Sequence, residues 1–260
     1  MVNLTAVIIA KNEEGRIRKC LDSLKGFAAS IVVIDNLSTD RTVEVCKKYG
    51  AEVIVHEEKE YFGNQRNIGI RNAPGDWIIQ MDADEIVPKE TAEKIIKTLE
   101  APGEFAAFRV LRKNFFLGYP LKTAGNYGYM TRILRKGRAI YASNCFHEEL
   151  DIDGPVGDIE AEIEHYPFSS ISQVIDKCNY YSEIESDLFL RNTDKVSIRE
   201  IKYRLTWKSL KLFWKLYIRK KGYKDGMHGL AWCILNVIGP QVRWLKIWEK
   251  ASKDGKLIRG

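Results

Sequence analysis

Four short apolar runs, separated by segments with helical spacing, constrain this chain more than any other feature. LTAVIIA (4–10) is continuously apolar up to a small residue, the pattern of a strand covered on both faces. EEGRIRKCLDSLKGF follows, with Ile17, Leu21 and Leu24 at helical spacing. SIVVID (30–35) comes next, then a helix near 40–49 opened by the capping residues of LSTD, then EVIVHE (52–57). A helix near 62–73 closed by APGD leads to the fourth run, WIIQMDAD (77–84). Strand and helix alternating over short links predict an α/β fold whose parallel sheet is built from right-handed βαβ units. In such sheets ligands gather at the carboxyl ends of the strands, where Asp35, Asp82 and Asp84 fall.

The fourth run ends in Asp82, Ala83, Asp84 and Glu85, three carboxylates that repel one another unless a cation or hydrogen bonds hold them. Strand alternation puts Asp82 and Asp84 on one side, within reach of a single ion, and turns Glu85 to the other. PKETAEKIIKTLEA reads as a further amphipathic helix, and the pattern is β-like from Phe105 to about Tyr166. A helix from about Ile171 to Arg191 carries apolar or small residues at 171, 174, 175, 178, 181, 184 and 188.

The 260 residues, 45% hydrophobic and 29% charged, fit an ordinary globular protein. Five scattered cysteines without a CxxC pair argue against a disulfide framework or zinc cluster and favour a reducing compartment. The first residues lack the basic segment of a signal peptide and read as an immediate buried strand. Charge is asymmetric: from Lys195 onward 17 Lys and Arg face four acids, a net +13, whereas the remainder carries −7. Trp207, Trp214, Trp232, Trp244 and Trp248 lie in that basic segment, a mixture suited to an interfacial amphipathic helix. GLAWCILNVIG is too short to span a bilayer and is interrupted by Asn236 and Pro240.

The chain has no GxGxxG, no GxxxxGK[ST] and no GxSxG, so a Rossmann dinucleotide site, a P-loop and a nucleophile elbow have no support. In order along residues 3–100, AVIIAKNEE, IVVIDNLSTDRT and GNQRNIGIRNAPGDWIIQMDADE resemble the nucleotide-binding half of glycosyltransferase family 2. FHEEL, IEHY and DKCNYYSEIES are similar to the branch of that family containing bacterial lipopolysaccharide-core glucosyltransferases. The resemblance implies a GT-A-like, mostly parallel sheet flanked by helices, with a basic helical C-terminal extension. It implies a nucleoside-diphosphate sugar donor, a divalent cation (Mg²⁺ or Mn²⁺) and inversion at the anomeric carbon. Together with the charge and tryptophan pattern, the expected division is a nucleotide-sugar-binding half (1–100), an acceptor-side β-rich half of the same catalytic domain (101–170) and a basic, membrane-associating helical region (171–260).

By the same resemblance Ala10, Lys11 and Glu13 line the nucleotide pocket, Asp35 accepts a hydrogen bond from the base, and Arg66 lies near the diphosphate. Asp82 contacts the ribose or metal, Asp84 coordinates the metal, and His165 supplies a third ligand. Where the family usually has Pro-Thr-Tyr-Asn-Glu and Asp-Asp-Gly-Ser, this chain has Ile9-Ala10-Lys11-Asn12-Glu13 and Asp35-Asn36-Leu37-Ser38. Displacement at the anomeric carbon needs a base near the acceptor hydroxyl; Glu148, tuned by His147, is the expected one, with Glu85 next. The expected protein is therefore an inverting glycosyltransferase that moves a UDP-hexose sugar to a lipid-linked or lipopolysaccharide-type acceptor, attached peripherally to the cytoplasmic face of the membrane. A nucleotidyltransferase would want an early glycine- and lysine-rich phosphate loop, which the sequence lacks. The rival from another class is a non-enzymatic protein that binds nucleic acid or an anionic surface through the basic tail; nucleic acid is not the expected partner.

Overall fold

The computed structural model describes residues 2–58, 61–123, 127–142 and 149–258. The chain divides into two compact units, Met1–Lys113 with Gly128–His165, and Asn114–Tyr127 with Tyr166–Gly260.

The expected alternation is present: β1 (Leu4–Ala10), α1 (Ile17–Leu24), β2 (Ser30–Asp35), α2 (Thr42–Lys48), β3 (Glu52–Val55), α3 (Phe62–Asn72) and β4 (Trp77–Asp82). Then come β5 (Glu85–Ile86), α4 (Lys89–Glu100), β6 (Ala107–Phe116), β7 (Tyr119–Pro120), β8 (Tyr127–Arg135), β9 (Ala139–Tyr141), β10 (Leu150–Ile152) and β11 (Val156–Phe168). Among the described residues the main sheet runs β3-β2-β1-β4-β8-β6-β11-β5. β1 pairs in parallel with both β2 and β4, and β2 with β3; β8 is antiparallel to β4, and β5 to β11. Parallel pairing thus stops at β4. The chain leaves β1 towards β2 and later returns on its other side as β4, the strand reversal that opens a crevice at the carboxyl ends.

The continuous apolar runs are explained by what covers them. Leu4, Ala6, Ile8 and Ala10 share one core with Ile17, Leu21 and Leu24 of α1 and with Ile95 and Leu99 of α4. Val7, between them in sequence, turns to the other face and packs with Val32, Ile34 and Ile78 beside Ile70 of α3. Each of these strands therefore buries both faces, and each fully buried Ile or Leu contributes about 1.5–3 kcal/mol. Helix α3 comes so close that a Cβ on Gly69 would sit 2.2 Å from Cγ1 of Val7, so no larger residue fits there without moving the helix.

The second unit is mainly helical: α5 (Ile171–Arg191), β12 (Val196–Ser197), α6 (Ile198–Tyr203), a π-helical turn (204–208), α7 (Ser209–Trp214), a second π-helical turn (215–219), α8 (Gly226–Lys253) and β13 (Leu257–Ile258). Its core is Leu190, Val196, Ile201, Trp244, Ile247 and Ala251, with Phe189 meeting Trp244 edge-on. Helix α5 has the expected bounds and a different inner face: Ser182, Ser186 and Leu190 are buried, whereas Ile171 and Ile175 are exposed. Small serines allow a close approach, and their hydroxyls donate to the carbonyls of Asn179 and Glu183. Helix α8 continues through Asn236 and Pro240 where the sequence predicts an interruption, and Asn236 donates its side-chain amide to the Trp232 carbonyl. Among the described residues no helix is long and apolar enough to cross a membrane.

Ion pairs join α5 to α8. Glu183 accepts from Lys246 (2.8 Å) and Lys250 (2.6 Å), Glu185 meets Arg243 (2.6 Å), and Asp187 meets Lys250 (2.6 Å). Hydrogen bonds from Lys246 and Lys250 outweigh the effect of burial and lower the Glu183 carboxyl from 4.5 to about 2. A carboxylate depressed in the folded state stabilises it above the unfolded value and loses that contribution as pH falls through the folded one. Glu183 is half exposed, so solvent limits the gain to about 1 kcal/mol or less. Glu183→Gln should lower the thermal midpoint slightly at pH 7, and its difference from wild type should shrink between pH 4.5 and about 2. A difference that holds constant across that range in melting curves would show that the pairs carry no net stability.

Candidate active site

The loops that follow β1 and β2 are tied together at the carboxyl edge of the sheet. Asn36 N–H donates to the Ala10 carbonyl, Asn12 N–H to Ser38 Oγ, and Thr39 N–H to Asn12 Oδ1. Asp40 accepts from the N–H groups of Glu14 and Thr42, and Glu13 N–H donates to Thr42 Oγ1, so Ser38 and Asp40 are structural. Asn12 and Leu37 both have left-handed backbones, with φ of 55° and 53°. Within this frame Asp35 ends β2, only 1% exposed. Its Oδ2 accepts from Ser38 N–H at 2.9 Å, and its Oδ1 is buried without a hydrogen-bond partner among the described residues. Of the other residues expected at the nucleotide pocket, Ala10 is buried at the end of β1 and Lys11 is exposed. Glu13 holds Arg16 through two bonds of 2.6 Å.

The acids after β4 are not arranged as alternation predicts. The strand ends at Asp82 and the chain turns at Ala83–Asp84, so Asp82 and Asp84 are not an extended i, i+2 pair and reach different side chains. Asp82 Oδ1 takes Arg66 of α3 at 2.7 Å, and Oδ2 takes Arg132 of β8 at 2.8 Å. The turn also brings Glu85 back: its Oε2 accepts from Asp82 N–H at 3.0 Å, and its Oε1 accepts from Arg132. Glu85 is fully buried, and Arg112 lies 4.0 Å from Oε1. Alternation therefore misplaces Glu85, and a carboxylate enclosed in this way is no candidate for receiving an acceptor proton.

Burial works against the charge on Asp82, but Arg132 and Arg66 overcome it and hold the carboxyl well below its ordinary range. Burial raises Glu85 against the pull of Arg132, with the Asp82 charge adding to the rise. One guanidinium between two carboxylates holds the more exposed one ionised and leaves the enclosed one harder to ionise.

Asp84 faces His165. Register pairs His165 with Glu85 across β11 and β5, and His165 Nε2 lies 3.5 Å from Asp84 Oδ1, both side chains largely buried. Arg16 Nη1 is 3.8 Å from Asp84 Oδ2. Among the described residues no three His, Cys, Asp or Glu side chains converge. A carboxylate oxygen opposite an imidazole nitrogen could nevertheless supply two protein ligands to a divalent cation. His147 and Glu148 lie outside the described residues. Cys20, Cys46, Cys178 and Cys233 are free thiols.

The glycosyl transferase family 2 model matches residues 5–148. The chain belongs to that family. An uncharacterized glycosyltransferase of Rickettsia prowazekii is 26% identical over 99% of this chain and 91% of its own length. The lipopolysaccharide core biosynthesis glycosyltransferase LpsC of Rhizobium meliloti is 26% identical over 95% of this chain and 92% of its own. In structure the chain is similar to Staphylococcus aureus TarS, with a TM-score of 0.50 and 15% identity over 94% of this chain and 55% of that one. The fold is GT-A, and the protein is a family 2 glycosyltransferase. Membership sets aside the nucleotidyltransferase and the purely non-enzymatic readings for the chain.

Arg132 is the residue that sequence reasoning missed. Within YMTRILRKG it resembles any strand arginine; only the antiparallel register of β8 on β4, with Ile133 opposite Ile79, carries it towards the carboxyl end of β4. Removing it leaves Glu85 buried without its closest counter-charge. Arg132→Met should destabilise the protein by about 3–5 kcal/mol in urea unfolding. Adding Glu85→Gln should recover part of that loss, a coupling read from the double-mutant cycle. Additive losses would show that the two side chains do not hold each other.

Proposed function

We propose that this glycosyltransferase moves a hexose from a UDP-sugar to a lipid-linked or lipopolysaccharide-type glycan with inversion of configuration. The observation that carries the donor reading is Asp35, a buried carboxylate at the carboxyl edge with one oxygen lacking a partner among the described residues. That oxygen suits the N–H of a pyrimidine base, whose hydrogen bond would relieve its desolvation. Support for the acceptor class comes from the lipopolysaccharide core glycosyltransferase that this chain resembles over most of its length.

Asp84 and His165 would hold Mg²⁺ or Mn²⁺. Bound there, the cation supplies Lewis-acid screening of the diphosphate. Asp82, with both oxygens on arginines, fixes the turn that presents Asp84. In the transfer the acceptor oxygen bonds to the anomeric carbon as the bond to the diphosphate oxygen breaks. The electron pair leaves with the nucleotide, and the hydroxyl proton passes to Glu148 as base.

A thermal-shift series with UDP, UDP-hexoses and other nucleotides, with and without Mn²⁺, tests the donor side, since bound ligand raises the midpoint by mass action. Asp35→Asn should weaken UDP roughly ten- to hundredfold, the loss of one hydrogen bond to a charged acceptor. Asp84→Ala should erase the part of the shift that depends on Mn²⁺ and abolish turnover. A wild-type UDP shift indifferent to Mn²⁺ would overturn the metal assignment, and an unaltered shift in Asp35→Asn would overturn the base contact.

Glu148→Gln keeps shape and removes basicity, so kcat should fall by roughly 10²–10⁴ while donor affinity holds. Turnover within a few-fold of wild type would exclude Glu148 as the base.

A further inference from the structure

The basic C-terminal segment is two populations of charge. On α8, Arg243, Lys246 and Lys250 are paired to acids of α5. From Ile198 to Lys224 there are ten Lys and Arg and a single acid, Glu200, which is bound by Arg204. Lys208, Lys211, Lys215, Lys220 and Lys221 are exposed, and among the described residues none has an ion-pair partner. The tryptophans divide less sharply. On α8 Trp244 is core, Trp232 packs on Phe116 and Trp248 is 48% exposed, whereas Trp207 and Trp214 are 64% and 54% exposed.

The continuous helical stretch Ile198–Arg219 turns Ile201 and Leu205 to the core of the second unit. A surface helix packed on one side normally shows water a polar outer side. Here Tyr203, Trp207, Leu210, Trp214 and Ile218 are all exposed, at steps of four, three, four and four residues, the spacing of a single helix face. We infer that this outer face is a docking surface for an anionic lipid bilayer. Tryptophan and tyrosine settle at headgroup depth, the leucine and isoleucine enter the acyl boundary, and the unpaired lysines meet anionic headgroups. Charge complementarity decides the occupant. Protein–protein interfaces are depleted of lysine, whereas a polybasic flank is what holds an amphipathic helix to an anionic leaflet.

Co-sedimentation of the full chain tests this without donor or turnover, so it can fail independently of the proposed reaction. Vesicles of phosphatidylethanolamine with phosphatidylglycerol should bind the protein, and phosphatidylcholine vesicles should not. Trp207→Ala with Trp214→Ala should weaken binding about tenfold or more, as should Lys208→Gln, Lys211→Gln and Lys215→Gln together. Brominated lipid should quench wild-type tryptophan emission more than that of the Trp207/Trp214 variant, and circular dichroism should show both folded. Lys19→Gln, Lys89→Gln and Lys97→Gln, exposed lysines of the first unit, should leave binding unchanged. The inference is overturned if anionic vesicles do not bind the wild type, if the tryptophan variant binds as tightly, or if the first-unit lysines matter equally. Sedimentation showing a dimer that the tryptophan substitutions dissolve, or retention on duplex DNA in place of vesicles, would assign the face to another occupant.

Discussion

The Arg132 guanidinium between Asp82 and Glu85 is the interaction on which the site's geometry rests. Three carboxylates within four residues, two of them beside a buried core, cannot stay together without counter-charge. The fold brings that charge from two separate elements, Arg66 from α3 and Arg132 from β8, and so fastens the end of β4 to both neighbours. Desolvating this cluster costs free energy that the pairing at best offsets, so its value lies in position more than in net stability. Once Asp82 and Glu85 are committed to arginines, the turn at Ala83–Asp84 gives Asp84 a separate direction, towards His165. A sequence in which every acid looks equivalent becomes a structure with two holding acids and one facing an imidazole.

How much of this was legible follows from the range of the interactions. The parallel half could be read because β1, β2 and β4 are covered on both faces and so appear as unbroken apolar runs. Asp35 could be placed at a ligand edge because a parallel strand's carboxyl end is set by its direction alone. The second half depends on pairings distant in sequence: β8 lies beside β4, and β11 brings His165 to Glu85. No local pattern encodes those registers, so Arg132 passed as an ordinary strand residue. Alternation failed after Asp82 because it holds only while the chain is extended. The inner face of α5 was misread because close helix packing selected Ser182 and Ser186 over the larger apolar residues.

Net charge has the same limit. The +13 of the last segment is a property of composition, yet the lysines of α8 and those of residues 208–221 are in different physical situations. A lysine whose partner lies across a helix interface contributes little field beyond a Debye length, about 8 Å at physiological ionic strength. Unpaired lysines on one exposed helix sum instead of cancelling. Sequence identifies the segment; pairing identifies the face.

The turn after β2 shows how the chain departs from the common family pattern without losing the arrangement. Asn36 stands where an acid is usual, and its side chain both donates to the Glu58 carbonyl and accepts from Glu58 N–H. A carboxylate could accept but not donate, so the amide is what ties this turn to the segment after β3. Leu37 stands where glycine is usual and still takes the left-handed backbone, at a cost of about 1–2 kcal/mol. Hydrogen bonds on either side offset that strain: Ser38 N–H on Asp35, Asn12 N–H on Ser38 Oγ, and the Asn36 pair with Glu58. One of the bonds that offset the strain, Ser38 N–H on Asp35, is also the one that occupies Asp35 Oδ2. The strained turn and the orientation of the buried carboxylate are therefore one constraint, and the loop keeps Asp35 in place by side-chain hydrogen bonding where a glycine would do so by conformational freedom.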